Sequence, residues 1–281
     1  MTDLKSVKII ADSSSDIFNL DGMSFASAPL KIKTAEKEYV DDDSLDVYGM
    51  VHDLKAYKGR SGTSCPNPED WLAAFEDYEN VFCITITATL SGSYNSCMIA
   101  KAEYERLYPE KRVFVVNSLS TGPEMYLIVE KFKELLENGA EFSVACDKAV
   151  EYSKKTGLLF MLESLKNLAN NGRVSPIVAK MAGLLGIRLV GKASEKGDLE
   201  PIGKCRGESK ALECMLDALK NEGYTGGRVK ISHCFNEDAA NKFKTMINEK
   251  FPMATVEIYN CRGLVGFYAE LGGMLVGFEK K

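Results

Sequence analysis

The segment Ile84-Thr85-Ile86-Thr87-Ala88-Thr89-Leu90-Ser91-Gly92-Ser93-Tyr94-Asn95-Ser96 decides the fold that the sequence predicts. The apolar, β-branched run over residues 81–86 predicts a buried strand, and residues 93–107 predict a helix. The hydroxyl-rich residues between them therefore form a strand-to-helix turn. Because the first N–H groups of a helix are unpaired and carry partial positive charge, this turn suits a carboxylate or a phosphate. The alternative is that Ser91 or Ser93 only caps the helix.

The same succession of strand and polar turn occurs on both sides of this segment. Residues 7–11 predict a strand that leads into the polar residues 12–16, and residues 112–116 predict a strand that leads into residues 117–122. An amphipathic helix follows the latter turn and ends at Gly139. Since parallel strands place such turns along one edge of a sheet, the first half predicts a parallel α/β sheet with ligand-binding turns.

A second helix start resembles the first in its hydroxyl groups. Asn67 and Pro68 are a favourable N-cap and first helical residue, and Thr63 and Ser64 precede them. The sequence therefore predicts a second anion cradle at this point.

Three consecutive aspartates, Asp41, Asp42 and Asp43, suggest a cation site at first sight. They lack the spaced ligands and the central glycine of a calcium loop. We therefore expect a solvated cap, with Asp43 or Ser44 starting a short helix that runs through Leu54.

The second half of the chain has a different pattern of elements. Residues 187–191 and 200–204 flank a Lys-Gly-Asp turn, which predicts a hairpin, and residues 177–185 predict an apolar helix. Helices and strands then alternate to the end of the chain. We predict an N-terminal α/β domain over residues 1–157 and a C-terminal α+β domain over residues 158–281.

Composition excludes several classes of protein. The 281 residues carry a net charge of −5, are 45% hydrophobic, and contain no long block of like charge, which argues against binding to nucleic acid. No apolar stretch approaches 18 residues and the N-terminus lacks a signal core, so we expect a cytoplasmic protein without a membrane span. The eight cysteines are scattered, so neither a zinc site nor a disulfide framework is expected.

The sequence also lacks the motifs of common enzymes. Residues 186–193 come within one residue of a P-loop, but Ala193 lacks the hydroxyl that holds magnesium, and no G-x-S-x-G or G-x-G-x-x-G is present. His52 and His233 are the available imidazole bases. We therefore predict no catalytic residue, no metal and no cofactor.

Taken together and in order, these segments resemble the DegV family of bacterial fatty-acid-binding proteins. The resemblance extends over nearly the whole chain. The matching segments are residues 12–16 (Asp-Ser-Ser-Ser-Asp), 39–41 (Tyr-Val-Asp), 63–66 (Thr-Ser-Cys-Pro), 90–94 (Leu-Ser-Gly-Ser-Tyr), 117–118 (Asn-Ser), 171–175 (Asn-Gly-Arg-Val-Ser), Arg206, and 266–278.

The resemblance implies a two-domain fold, an N-terminal parallel α/β/α sandwich and a C-terminal α+β domain, with a ligand tunnel between them. The tunnel would hold one long-chain fatty acid such as palmitate, stearate or oleate. The family's carboxylate-binding residues correspond to Thr63 and Ser91, and Ser64, Gly92 and Tyr268 are expected beside them. The protein would not be an enzyme itself, but would present its ligand to a separate fatty-acid kinase.

Two arginines are further candidates under this resemblance. Arg173 and Arg206 correspond to basic residues that would serve the head-group entrance or contact the partner. The alternative for each is a surface ion pair.

The sequence departs from the family near its C-terminus. The family usually carries a His followed by Thr-Gly-Pro-Gly, whereas Tyr268-Ala269-Glu270-Leu271-Gly272 stands here. Tyr268 could donate a hydrogen bond as His does, but with a reference pKa near 10 it would not titrate near neutrality. Glu270 would repel a carboxylate if it faced one.

Two other functions are compatible with the sequence. An α/β enzyme could use the same helix starts to bind a small carboxylated or phosphorylated metabolite, although no general base is identifiable beside them. A regulatory protein could also hold the lipid as a structural component. A long apolar tunnel would favour a carrier or a regulatory protein, and a small polar cleft would favour an enzyme.

Overall fold

The structure is a computed structural model that describes residues 4–175, 178 and 186–281. The helix predicted over residues 177–185 lies outside the described residues, apart from Val178. The strands are β1 (Val7–Asp12), β2 (Phe25–Ala28), β3 (Lys31–Lys33), β4 (Glu38–Val40), β5 (Gly62–Ser64), β6 (Asn80–Thr85), β7 (Arg112–Asn117), β8 (Thr156–Leu162), β9 (Ile187–Ala193), β10 (Leu199–Arg206), β11 (Gly227–His233), β12 (Ala254–Asn260) and β13 (Met274–Glu279). The helices are α1 (Val47–Ala56), α2 (Pro68–Phe75), α3 (Ser93–Leu107), α4 (Pro123–Glu137), α5 (Phe142–Ser153), α6 (Lys166–Asn170), α7 (Glu208–Asn221), α8 (Glu237–Lys250) and α9 (Gly263–Ala269).

The parallel sheet predicted for the first half is confirmed. Its four strands lie in the order β2-β1-β6-β7, and all three pairings are parallel. Every residue of β1 and β6 is buried, because helices cover both faces of the sheet. The carboxyl ends of β1, β6 and β7 therefore meet at one edge, where their polar turns follow.

A second sheet contains the strands of the second half. Its order is β10-β9-β8-β13-β11-β12, with one parallel pair, β11 and β12. The predicted hairpin is formed by β9 and β10, which pair antiparallel. A small antiparallel sheet, β4-β3-β5, carries the Thr63 segment.

Helix α4 packs between the two large sheets. It contacts β1 and β6 in the first sheet and β8, β11 and β13 in the second. At Gly277 of β13, a Cβ atom would lie 2.5 Å from the backbone nitrogen of Glu124, so only glycine permits this approach. The predicted domain boundary after residue 157 falls within β8 and stays a prediction.

The helix starts show where local signals are sufficient. Asn67 caps α2, with its side chain accepting from the Asp70 N–H at 2.8 Å, as predicted. The expected cap of α1 at Asp43 or Ser44 is wrong, because Asp46 accepts the Gly49 N–H at 3.0 Å. None of the described helices is long and apolar enough to cross a bilayer.

The carboxylate of Asp12 joins the ends of β1 and β6 to the start of α3. Its Oδ1 accepts from the Ser14 hydroxyl at 2.5 Å, and its Oδ2 accepts from the Ile86 N–H at 2.8 Å and the Ser93 hydroxyl at 2.6 Å. Asp12 is fully buried, and burial raises its pKa despite these donors. The side chain therefore fixes the turn that contains Ser91.

We expect the substitution Asp12→Ala to lower the free energy of unfolding by about 3 kcal/mol, because buried donors on Ile86 and Ser93 lose their acceptor. Urea denaturation followed by circular dichroism measures the change. The exposed carboxylate of Asp21 provides the control, and Asp21→Ala should change the value by less than about 0.5 kcal/mol. Equal effects of the two substitutions would contradict the role assigned to Asp12.

Candidate functional site

A largely apolar pocket of about 90 Å³, partly open to solvent, lies between the two large sheets. Both halves of the chain supply its walls. The apolar lining residues are Leu30, Ile86, Leu90, Leu158, Phe160, Leu162, Leu168, Ala193, Leu199, Leu264, Val265, Ala269 and Leu275.

Four predicted site residues line this pocket: Thr63, Ser91, Arg173 and Tyr268. The Thr63 hydroxyl and the Tyr268 hydroxyl are 2.8 Å apart and form a hydrogen bond in which either group can donate. Thr63 is the central residue of β5, and Tyr268 lies on α9, 205 residues later. The fold therefore brings together side chains that the sequence separates widely.

Ser91 lies in the turn between β6 and α3. The N-cap of α3 is Gly92, so the alternative that Ser91 or Ser93 is the cap is wrong. The Ser91 hydroxyl accepts the Ser93 N–H at 3.3 Å, and an accepting hydroxyl can still donate its own hydrogen. Because Ser93 donates inward to Asp12, Ser91 is the hydroxyl that this helix start offers to the pocket.

Gly92 allows a close approach to the neighbouring turn. A Cβ atom at this position would lie 3.2 Å from the sulfur of Cys65. The two predicted anion cradles, residues 63–66 and 90–94, are therefore adjacent in the fold.

Arg173 connects the Ser91 turn to the segment after α6. Its Nε donates to the Leu90 carbonyl at 3.1 Å, and its Nη1 donates to the Asn171 carbonyl at 2.5 Å. The ion pairs of the described residues do not include Arg173, so the surface ion pair considered from the sequence is not formed. Its positive charge acts on Tyr268, where it offsets part of the rise in pKa that burial causes.

Burial sets the protonation state of Tyr268. Desolvation raises the pKa of its hydroxyl, and the Thr63 hydrogen bond and the Arg173 charge oppose this only partly. Tyr268 therefore keeps its proton at neutral pH and can act as a donor.

Glu270 does not line the pocket, so the condition under which it would repel a bound carboxylate is not met by its position. Its Oε1 accepts from the Ser164 hydroxyl at 2.9 Å and from the Asn167 N–H at 3.1 Å. The carboxylate thus holds the start of α6 and contributes to a separate cavity on the other side of α9.

Asp41 is also different from its prediction. It is fully buried, and its carboxylate accepts the N–H groups of Gly263 at 2.7 Å and Leu264 at 2.8 Å, at the start of α9. Burial raises its pKa to about 6. The solvated cap expected for the triple aspartate is wrong at this residue, which caps the helix that carries Tyr268.

Several candidates lie outside the pocket. Ser64 follows Thr63 on β5, where alternate side chains face opposite ways, and Arg206 is an exposed residue at the end of β10. His52 and His233 do not line the pocket either. Across residues 4–175, 178 and 186–281, no group of three or more His, Cys, Asp or Glu side chains could hold a metal ion.

Sequence reasoning missed some polar lining residues. Thr87, Ser120, Thr121 and Asp198 also reach the pocket. The first three lie in the polar turns after β6 and β7, which the strand pattern marked without singling out these side chains. Asp198 lies in the hairpin turn, and nothing local indicated that this turn reaches the pocket.

Comparisons with known proteins are consistent with this fold. The sequence matches the family described as "Uncharacterised protein, DegV family" over residues 6–281. A DegV domain-containing protein of Streptococcus pneumoniae is 42% identical over 276 residues, which are 97% of this chain and 98% of that protein.

Two solved structures are similar over nearly the entire chain. A DegV family protein from Eubacterium eligens loaded with heptadecanoic acid has a TM-score of 0.96 and 43% identity, covering 98% of this chain and 100% of that one. The Streptococcus pneumoniae Fatty Acid Kinase (Fak) B3 protein loaded with linoleic acid has a TM-score of 0.96 and 42% identity, covering 98% and 99%. The predicted α/β fold class is thereby confirmed.

Proposed function

The chain belongs to the DegV family, and from this premise we propose that it is a carrier that binds one long-chain fatty acid and presents the carboxylate to a separate fatty-acid kinase. The resemblance noted from the sequence motifs is thus confirmed at the level of the family. The proposal further assigns the carboxylate to Thr63, Ser91 and Tyr268, with Arg173 beside them, and a cytoplasmic location to the protein.

The observation that carries this proposal is the division of the pocket into two chemical parts. Its walls are mainly leucine and other apolar side chains, whereas the hydroxyls of Thr63, Ser91 and Tyr268 line it together with the Arg173 cation. A ligand with one anionic end and a long apolar body matches both parts. A small polar metabolite would leave most of the apolar wall without apolar contacts. This argues against the alternative of an enzyme that acts on such a metabolite.

The two parts would contribute differently to binding. Burial of a methylene group contributes about 0.8 kcal/mol, so roughly sixteen carbons offer on the order of 10 kcal/mol before entropic costs. A hydrogen bond to a charged group contributes about 1.5–3 kcal/mol. The acyl chain would therefore supply most of the affinity, and the hydroxyls would fix the orientation of the carboxylate.

The named relatives support both steps of the proposal. The two similar structures hold heptadecanoic and linoleic acid, and one of them carries a fatty-acid kinase name. The kinase would transfer the phosphoryl group, so no residue of this chain is assigned a catalytic role. Arg206 lies away from the pocket, and we assign it to contact with the partner.

Denaturing extraction of the purified protein followed by lipid mass spectrometry tests the ligand class. We expect one fatty acid of about 16–18 carbons for each protein chain, and native mass spectrometry checks the stoichiometry. A protein that is empty and also takes up neither palmitate nor oleate would overturn the proposal and favour an enzyme acting on a small anionic metabolite.

We expect Ser91→Ala to raise the dissociation constant for oleate about tenfold, since one hydrogen bond to the carboxylate is lost while the apolar contacts remain. Isothermal titration calorimetry on delipidated protein measures this effect. The exposed Ser209 on α7 provides the control, and Ser209→Ala should bind as wild type does. Unchanged affinity of Ser91→Ala, with the carboxylate in an unmoved position, would contradict the role of Ser91.

We expect Tyr268 to add no dependence on pH to the affinity for oleate between pH 6 and 8, because burial raises the pKa of Tyr268 and keeps its hydroxyl protonated. The substitution Tyr268→His should introduce a dependence on pH. An imidazolium attracts the carboxylate below its pKa, near 6.5, and this attraction is lost as the pH rises through that value. Titrations at pH 6, 7 and 8 measure both proteins. A change in the wild type between pH 7 and 8, above the pKa of about 6 of Asp41, would contradict the assignment of Tyr268.

A further inference from the structure

We propose that Glu270 is a positioning residue that joins α9 to α6 and thereby holds Tyr268 in register with Thr63, Ser91 and Arg173. This inference rests on the proposed function, since it concerns the same carboxylate-binding groups. Glu270 itself does not line the pocket that contains them. Its action on a ligand would therefore pass through the segments that it connects.

The contacts between α9 and α6 are made in both directions. Glu270 follows the last residue of α9, and its Oε1 accepts from the Ser164 hydroxyl and the Asn167 N–H, at 2.9 and 3.1 Å. In return, the Asn167 side chain donates to the Phe267 carbonyl at 2.8 Å. Tyr268 therefore lies between Phe267 and Glu270, both of which are hydrogen-bonded to Asn167 of α6.

The same segment reaches the other carboxylate-binding residues. The Asn171 side chain donates to the Asn167 carbonyl at 2.8 Å and to the Ser61 carbonyl at 3.3 Å, two residues before Thr63. Arg173 then donates to the Leu90 carbonyl at 3.1 Å, one residue before Ser91. Residues 164–173 are thus hydrogen-bonded to backbone carbonyls within two residues of Thr63, Ser91 and Tyr268.

The backbone conformation at Glu270 is unusual for a residue with a side chain. Its φ is +54°, in the left-handed region that favours glycine, so a side chain here carries a conformational cost. Glycine would adopt the same conformation at lower cost but would lose both hydrogen bonds. A substitution by glycine should therefore lower the backbone cost while removing the link to α6. The thermal stability and the binding of the ligand can then be measured separately.

The test compares the release of bound oleate from delipidated and reloaded full-length protein into an excess of fatty-acid-free albumin. We expect Glu270→Gly to release oleate about five- to tenfold faster than wild type, while its thermal unfolding temperature without ligand is unchanged or higher. Glu270→Gln retains both acceptor contacts and should release oleate at the wild-type rate. Ser164→Ala removes one contact without a change at Glu270 and should accelerate release about threefold.

Glu76 offers a control because it also has a positive φ, +49°, follows the last residue of α2, lies outside the pocket and carries a side chain that is paired, with Lys8 at 2.8 Å. Glu76→Gly should relieve a backbone cost of the same kind, lose the ion pair with Lys8, and leave the release rate unchanged. A wild-type release rate for Glu270→Gly, or an equal acceleration by Glu76→Gly, would overturn the inference. If Glu270→Gly does not fold, a wild-type rate for Ser164→Ala would overturn it. A failure of the proposed function is distinguishable, since wild-type protein would then not load with oleate at all.

Discussion

The site depends on a buried carboxylate that pairs with hydrogen-bond donors. Asp12 accepts from the backbone N–H groups of Ser14 and Ile86 and from the hydroxyls of Ser14 and Ser93. These donors lie in its own turn, directly after β6 and at the start of α3. These donors stabilise the charge in place of water, and in doing so they fix three segments of the chain at one point. Because the Ser93 hydroxyl donates to Asp12, Ser91 is the serine of the turn between β6 and α3 that lines the pocket.

The sequence predicted the elements whose signals are local. Residues 93–107 were predicted as a helix and α3 has these bounds, because a strand pattern, a polar turn and a helical pattern follow one another without interruption. Helix α9 was not predicted. It has seven residues with two glycines, and its N-terminus is capped by Asp41, more than 220 residues earlier in the chain. A contact over that separation leaves no periodic signal in either segment.

In the candidate site, too, local signals were predicted from the sequence and contacts between distant segments were not. Physical reasoning marked Thr63 and Ser91 as hydroxyls beside helix starts, but only the family resemblance related them to Tyr268. The sequence did not show where the Glu270 side chain would point, and its partners are Ser164, just before α6, and Asn167 on α6. In the Thr63 and Tyr268 pair, one hydroxyl donates to the other, so a single hydrogen of the two remains for a ligand. The number of donors offered by the pocket is therefore smaller than the number of hydroxyls in it.

The pocket walls come from both halves of the chain, with Leu30 and Ile86 on one side and Leu158 and Leu275 on the other. A ligand that fills the pocket covers apolar surface of both halves at once, so occupancy and folding are thermodynamically linked. At a ligand concentration one hundred times the dissociation constant, this linkage adds about 2.7 kcal/mol to the stability of the native state. Loaded molecules would consequently resist cellular proteases better than empty ones, and the abundance of the protein would follow the supply of its ligand.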